Sequence, residues 1–139
     1  MNLAEELDQK LRPGTLAVAH PDGQVAASVV DADRLGVSLR SLRVTVAGRS
    51  LDEAVAALPE AVGRCLGLPF AVSEHAPTLG GAVLRSPVDA SDREFYEVRT
   101  GGDEAELRRW RVAPAGREQV PFTLTRKDLG RLVSGLTSR

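Results

Sequence analysis

The stretch between residues 95 and 136 constrains the fold of this chain most strongly, because strand-forming and turn-forming residues alternate in it at short spacing. Residues 95–100 mix aromatic, β-branched and charged side chains, which is typical of a half-buried strand. Gly101-Gly102 follows and predicts a type I′ hairpin turn, in which both central residues have positive φ angles. The return strand covers residues 105–112. These residues therefore predict an antiparallel hairpin.

A third strand and a capped helix complete this stretch. Apolar and polar residues alternate over residues 118–125, and Pro121 inside this strand predicts a sheet edge or a bulge because proline has no N–H to donate. Thr125 precedes Asp128 by three residues, which is the spacing of a helix capping box. Beyond it, apolar residues recur at helical spacing and predict one stripe facing the sheet: Leu129, Leu132, Val133 and Leu136.

The first half of the chain shows a comparable pattern. Leucines recur every four residues over residues 3–11 and predict a short amphipathic helix. Turn signals then separate candidate strands at 15–20, 24–30 and 37–47. Ser50 and Glu53 predict a second capped helix, which Pro59 should kink or interrupt and Gly67 should end. Two more strands are expected at 70–74 and 82–86.

Together these elements predict an α+β fold. We expect antiparallel sheet meanders of about seven to eight strands with three helices, in the order α-β-β-β-α-β-β-β-β-β-α. The helices should pack on one side of a single sheet or of two abutting sheets. A length of 139 residues is consistent with a single domain, 1–139, that buries a hydrophobic core without needing disulfide bonds or bound metal ions. Two similar meander-plus-helix halves, 15–67 and 69–137, remain an open alternative.

Composition narrows the class of protein. Hydrophobic residues make up 42% of the chain and charged residues 27%, as in ordinary globular proteins. No apolar run approaches the roughly 20 residues of a membrane helix, and the first residues lack an apolar signal-peptide core. We therefore expect a cytoplasmic protein without membrane contact. The abundance of Ala, Val, Leu, Gly and Arg over Lys indicates a bacterial, high-GC coding bias.

No motif in the sequence points to catalysis. Phosphate-binding loops, dinucleotide fingerprints, nucleophile elbows and zincin helices are all missing. The single Cys65 excludes an internal disulfide and a cysteine-built zinc site. His20 and His75 are far apart in the chain, and Glu74 and His75 would point to opposite faces of a strand. We therefore expect no enzymatic activity, no cofactor and no metal.

The candidate binding residues are Arg108, Arg109, Trp110 and Arg111. An aromatic side chain among basic ones can stack bases and hold phosphates. In the competing interpretation, which we favour, Trp110 lies in the core beside Val112 and the arginines pair across strands with Glu97, Glu104, Glu106 and Glu118. Residues 93–139 hold ten basic and seven acidic residues, whereas residues 1–92 hold eight and twelve. The net charge of −1 is unlike that of a typical nucleic-acid-binding protein.

Two resemblances bear on function. The order helix, three strands, helix, two strands resembles that of type III secretion chaperones. The segments LRRW and FTLTRKDLGRLV, in a run of three strands and a helix, resemble the whirly family of single-strand DNA-binding modules.

Our leading hypothesis is a non-catalytic protein-binding module of chaperone, adaptor or immunity type. It would act through a sheet edge or a helix–sheet surface, with a protein partner and as a homodimer. The first alternative is single-stranded nucleic-acid binding through the Arg/Trp strand 105–112. The second is a small-molecule-binding or enzymatic domain whose pocket the sequence does not reveal.

Overall fold

The computed structural model describes residues 1–139 and contains three α-helices and one nine-stranded sheet. The helices are α1 (Leu3–Lys10), α2 (Leu51–Leu66) and α3 (Arg126–Leu136). The strands are β1 (Gly14–His20), β2 (Gly23–Ala32), β3 (Gly36–Thr45), β4 (Ala71–Ala76), β5 (Gly81–Arg85), β6 (Glu94–Thr100), β7 (Glu104–Ala113), β8 (Gly116–Val120) and β9 (Phe122–Thr125). The predicted α+β class, with an antiparallel sheet and three helices, is confirmed.

The sheet has the strand order β1-β2-β3-β7-β6-β5-β4, and every paired neighbour is antiparallel. In addition, β8 pairs with β7 and β9 pairs with β3. The strand predicted over 118–125 is therefore two strands, divided at Pro121, which has no N–H to continue a ladder. Because of this division, six strands rather than five follow α2. All nine belong to one sheet rather than to two abutting ones.

All three helices pack on the same face of the sheet. A single cluster of 24 buried residues joins the apolar stripes of the helices to alternate residues of the strands. The register places these strand residues opposite one another, for example Val25 opposite Val44 and Leu42 opposite Leu107. The cluster draws on both halves of the chain, and the similarity of the two halves stays a prediction.

The predicted helix ends are confirmed. Ser50 Oγ accepts from the Glu53 amide at 3.0 Å and the Glu53 carboxylate accepts from the Ser50 amide at 3.2 Å, which is a complete capping box. Thr125 Oγ1 accepts from the Asp128 amide at 3.0 Å. Gly67 ends α2 with φ 68°. The helix runs through Pro59 as one continuous element, so it does not restart there.

The turn between β6 and β7 differs from the predicted type I′ geometry. Only Gly102 has a positive φ, 102°, whereas a type I′ turn requires two such residues. The turn packs against the start of α2, so a Cβ on Gly102 would lie 2.7 Å from the Leu51 nitrogen. The buried Arg49 ties this turn to α3, because it donates to the carbonyl oxygens of Gly102 and Leu136, each at 2.6 Å. Glycine at position 102 is therefore required by packing as well as by backbone conformation.

No helix in the structure combines the length and the apolar character needed to cross a membrane.

Candidate functional site

The four candidate binding residues lie on β7 and point alternately to the two faces of the sheet. Trp110 pairs with Phe95 of β6, and Arg109 pairs with Tyr96. Arg108 and Trp110 therefore lie on the face opposite the helices, which we call the open face, while Arg109 and Arg111 lie on the helix side. The structure does not bring the four side chains together on one surface.

Trp110 lies half-buried on the open face and outside the core. The guanidinium of Arg117 covers its ring, with the Arg117 Cζ 4.0 Å from the ring centroid. The indole nitrogen is buried and has no hydrogen-bond partner. Our expectation of a core Trp110 beside a buried Val112 was wrong, since Val112 is 36% exposed. The helices cover the alternate residues of β7, so Leu107 rather than Trp110 enters the core.

Arg109 closes one end of the core on the helix side. Its guanidinium lies over the Tyr96 ring, with 4.9 Å from Cζ to the ring centroid, and Nη1 donates to the Tyr96 hydroxyl at 3.2 Å. Nη2 lies 3.2 Å from the carboxylates of both Asp92 and Glu94. Burial raises the pKa of Tyr96 and outweighs the neighbouring Arg109 charge. These contacts account for Arg109 as a structural residue.

The other two arginines of the segment are also paired within the chain. Arg108 Nε donates to Glu106 at 2.7 Å, and Arg111 Nη2 donates to Glu118 at 2.6 Å. The expected cross-strand pairing is therefore present for Glu118 with Arg111, whereas Glu106 bonds to Arg108 within β7 itself. A phosphate group bound here would have to displace these carboxylates.

A charged cluster around Glu97 is the most buried polar feature of the open face. The Glu97 side chain is 2% exposed and accepts hydrogen bonds from three arginines on three different strands. The distances are 2.8 Å to Arg85 Nε, 3.0 Å to Arg99 Nε and 2.7 Å to Arg117 Nη1. Burial by itself would raise the pKa of Glu97, but the hydrogen bonds from Arg117, Arg85 and Arg99 outweigh it and lower the pKa to about 2.

The sequence did not indicate the Glu97 cluster, and we expected Glu97 to pair with the arginines of β7 instead. Arg108 is the residue directly opposite Glu97, yet it bonds to Glu106 and Gln119 instead. The sequence carries no signal for the true partners, because Arg117 reaches Glu97 from β8 across the whole width of β7.

The main strand order of the sheet begins with β1 and ends with the edge strand β4. Its pairing with β5 is interrupted between Val72 and Glu74, where Ser73 forms a bulge. The strand carries the charged Glu74 and ends directly before Pro77. Bulges, charges and prolines are the devices that keep an edge strand from pairing with another chain. The β4 edge is therefore protected.

The edge formed by β1 has neither a bulge nor an Asp, Glu, Lys or Arg residue, and prolines border it at both ends, as Pro77 borders β4. All seven residues of β1 pair with β2 in one register, from Gly14 opposite Val29 to His20 opposite Gly23. The strand GTLAVAH contains no charged residue other than a terminal histidine and no proline. The ladder of β1 is therefore regular, and no bulge or charged side chain along the strand protects its edge.

The hairpin geometry identifies which backbone groups of β1 face outward. A two-residue turn, Pro21-Asp22, separates β1 from β2, so His20 and Gly23 form a hydrogen-bonded pair. Alternation then directs the N–H and C=O groups of Thr15, Ala17 and Ala19 away from β2. The side chains of these three residues are small and exposed on the open face.

A groove of about 640 Å³ lies on the helix side, between α1, α2 and α3. Its lining is mostly small or polar and includes Cys65 and Arg131. The Cys65 thiol donates to the Arg131 carbonyl oxygen at 3.3 Å, and burial raises its pKa, so that it is a weak nucleophile. No set of side chains in this groove forms a nucleophile with an adjacent base.

The two histidines occupy unrelated positions. His20 Nε2 lies 2.8 Å from the Met1 carbonyl oxygen, in the turn after β1, whereas His75 is exposed on β4. No group of three or more His, Cys, Asp or Glu side chains is arranged to hold a metal ion. That the chain works without metal, cofactor or catalysis stays a prediction.

No protein-family model, curated protein or solved structure matches this chain significantly.

Proposed function

We propose that this chain is a non-catalytic protein-binding module whose binding element is the outer edge of β1. The observation that carries the proposal is the contrast between the two sheet edges. The edge of β4 has a bulge and the charged Glu74, whereas the seven residues of β1 are regularly paired and include neither. An extended segment of a partner protein would add to β1 as a further antiparallel or parallel strand.

β1 is held rigidly in the sheet, which favours the addition of a partner strand. Leu16 and Val18 are 5% and 3% exposed and belong to the same core cluster as Leu3 and Leu7 of α1, so the strand is held in place before a partner arrives. A rigid edge loses little conformational freedom on binding. The outward N–H and C=O groups of Thr15, Ala17 and Ala19 supply main-chain hydrogen bonds, and their small side chains leave room for the partner.

Single-stranded nucleic-acid binding is the second candidate, and the position of Trp110 on the open face favours it. A half-buried indole beside Arg108 and Arg117 has the composition of a base-stacking platform. Stacking of a base would require Arg117 to leave the ring while it remains bonded to Glu97. The β1 edge needs no such rearrangement, which is why we rank it first.

Selection of peptides from a random displayed library tests the proposal. The purified chain is the target, and fluorescence anisotropy then measures the affinity of each selected peptide. Ala17→Pro removes an outward N–H without removing a bond to β2, so binding should weaken about tenfold, the equivalent of one lost hydrogen bond. Ala71→Pro makes the same substitution in the protected edge strand and should leave the affinity unchanged.

Two results would contradict the proposal. One is a set of selected peptides whose affinity is the same for the wild type and for Ala17→Pro, provided that both proteins show the same unfolding transition. The other is tight binding of a labelled oligothymidine that is lost in Trp110→Ala and falls steeply with salt. The second result would establish the nucleic-acid alternative in its place.

A further inference from the structure

We propose that the strand that pairs with β1 is β1 of a second copy of this chain. Two nine-stranded sheets would then join edge to edge about a two-fold axis. This inference rests on the proposed function of the β1 edge and names the partner of that same surface.

The outward backbone groups of β1 match those of a second β1 in one symmetric register. A two-fold axis at Ala17 places Ala17 opposite its own counterpart and Thr15 opposite the partner's Ala19. Every N–H and C=O group that β1 directs outward then meets a complementary group. If the two-fold axis lay at Val18 instead, Thr15 would lie opposite the partner's Pro21, which has no N–H to donate. The Ala17-centred register is thus the one that pairs all three outward residues.

The side chains on both faces of the sheet are compatible with this register. On the helix side, Leu16 lies opposite the partner's Val18, an apolar pair that extends the existing core. On the open face, only alanine and threonine side chains oppose one another. β1 contains no Asp, Glu, Lys or Arg, and its terminal His20 meets the partner's Gly14. Like charges therefore do not oppose each other at any position.

The expected interface is small. A strand of seven residues, paired along one edge, buries less than the roughly 1,200 Å² at the lower end of stable protein interfaces. We therefore expect a dimer that dissociates reversibly on dilution through the micromolar range, rather than an obligate dimer. Such a dimer also leaves the edge available to a competing extended peptide.

Substitutions of opposite charge at Ala17 test whether the partner strand is a second β1 and whether the two strands pair in this register. Ala17→Glu places two glutamates directly opposite each other across the axis, and Ala17→Lys places two lysines there. Like charges in directly opposed positions destabilise strand pairing. Sedimentation equilibrium should show each variant as a monomer at concentrations at which the wild type is dimeric. An equimolar mixture of the two variants should form dimers again, because glutamate then faces lysine.

The matched control is Ala71→Glu, an identical substitution at an exposed position of the other edge strand. This variant should dimerise as the wild type does. Thermal unfolding of each variant in parallel shows whether a monomer is still folded, and the recovery of dimers in the mixture provides a second proof of folding.

Three outcomes would overturn the inference. The wild type could be monomeric at every concentration, it could form dimers that Ala17→Glu does not weaken, or the mixed variants could fail to associate. In each case the selected peptides of the preceding test can still bind β1, so the proposed function would survive. If neither peptides nor a second copy pair with β1, the proposed function itself is wrong.

Discussion

Replacement of Glu97 by glutamine provides the sharpest test of how the open face is stabilised. The carboxylate is 2% exposed and bonded to Arg85, Arg99 and Arg117. Glu97→Gln keeps the shape of the side chain and removes its charge. Three guanidinium groups would then lie close together around a neutral amide. We expect the variant to fold but to be less stable at neutral pH.

The size of this effect follows from the pKa. The pKa of Glu97 is lowered from 4.5 to about 2, and at about 1.4 kcal/mol for each pKa unit this corresponds to about 3 kcal/mol of stability. Arg99 is 62% exposed, so solvent screening weakens its share of the interaction. We therefore expect Glu97→Gln to lower the free energy of unfolding by about 2 kcal/mol at neutral pH.

The pH dependence has a defined sign. Because the pKa in the folded state lies below the ordinary value, the ionised carboxylate stabilises the fold above pH 4.5, and this stabilisation is lost as the pH falls from 4.5 to about 2. Glu97→Gln removes the titrating group. The stability difference between wild type and variant should therefore shrink by about 1 kcal/mol between about pH 7 and about pH 3.5.

Urea unfolding followed by far-ultraviolet circular dichroism measures both quantities. The matched control is Glu118→Gln, because Glu118 and its partner Arg111 are 55% and 47% exposed. Exposed ion pairs contribute little, so this variant should change stability by less than about 1 kcal/mol at either pH. A loss for Glu97→Gln no larger than that of the control, or a loss that is independent of pH, would refute the assignment of the cluster as a stabilising one.

The remaining predictions concern helix caps, one turn and one aromatic residue. Ser50→Ala and Thr125→Ala should each lower the free energy of unfolding by about 1 kcal/mol in chemical denaturation, because each hydroxyl caps a helix. Gly102→Ala should cost about 2 kcal/mol or more, whereas Gly101→Ala, where φ is not positive and the new Cβ would lie 3.4 Å from its nearest neighbour, should cost less. Trp110→Ala should cost about 1–2 kcal/mol, below the range for a fully buried aromatic, and acrylamide should partly quench the wild-type fluorescence.

The sequence predicted those parts of the fold that depend on neighbouring residues. Helix caps act over three residues, so Ser50 with Glu53 and Thr125 with Asp128 could be located from spacing alone. The apolar stripe of α3 follows from helical periodicity in the same way. Alternation along β7 correctly divided its side chains between the two faces of the sheet.

The sequence did not predict features that depend on which strands become neighbours. Alternation separates Trp110 from Arg109 but does not say which face the helices will cover. That choice depends on residues such as Leu107, and it placed Trp110 outside the core. The partners of Glu97 depend in the same way on the order of β5, β6, β7 and β8. The predicted strand 118–125 is divided at Pro121 because its second part, β9, pairs with β3. That strand is distant in sequence, so local patterns could not predict the pairing.

A sheet that is covered by helices on one face only has an uncovered face and two edges to protect. Long side chains of opposite charge protect the open face over β5 to β8, where arginines surround Glu97 and Arg117 covers Trp110. A bulge and Glu74 protect the β4 edge. These devices lie at one end of the sheet, and β1 lies at the other with a regular ladder and small uncharged side chains. Because regular edges without bulges or charges tend to pair with other chains, this contrast between β1 and β4 is the reason for our proposal that another strand covers β1.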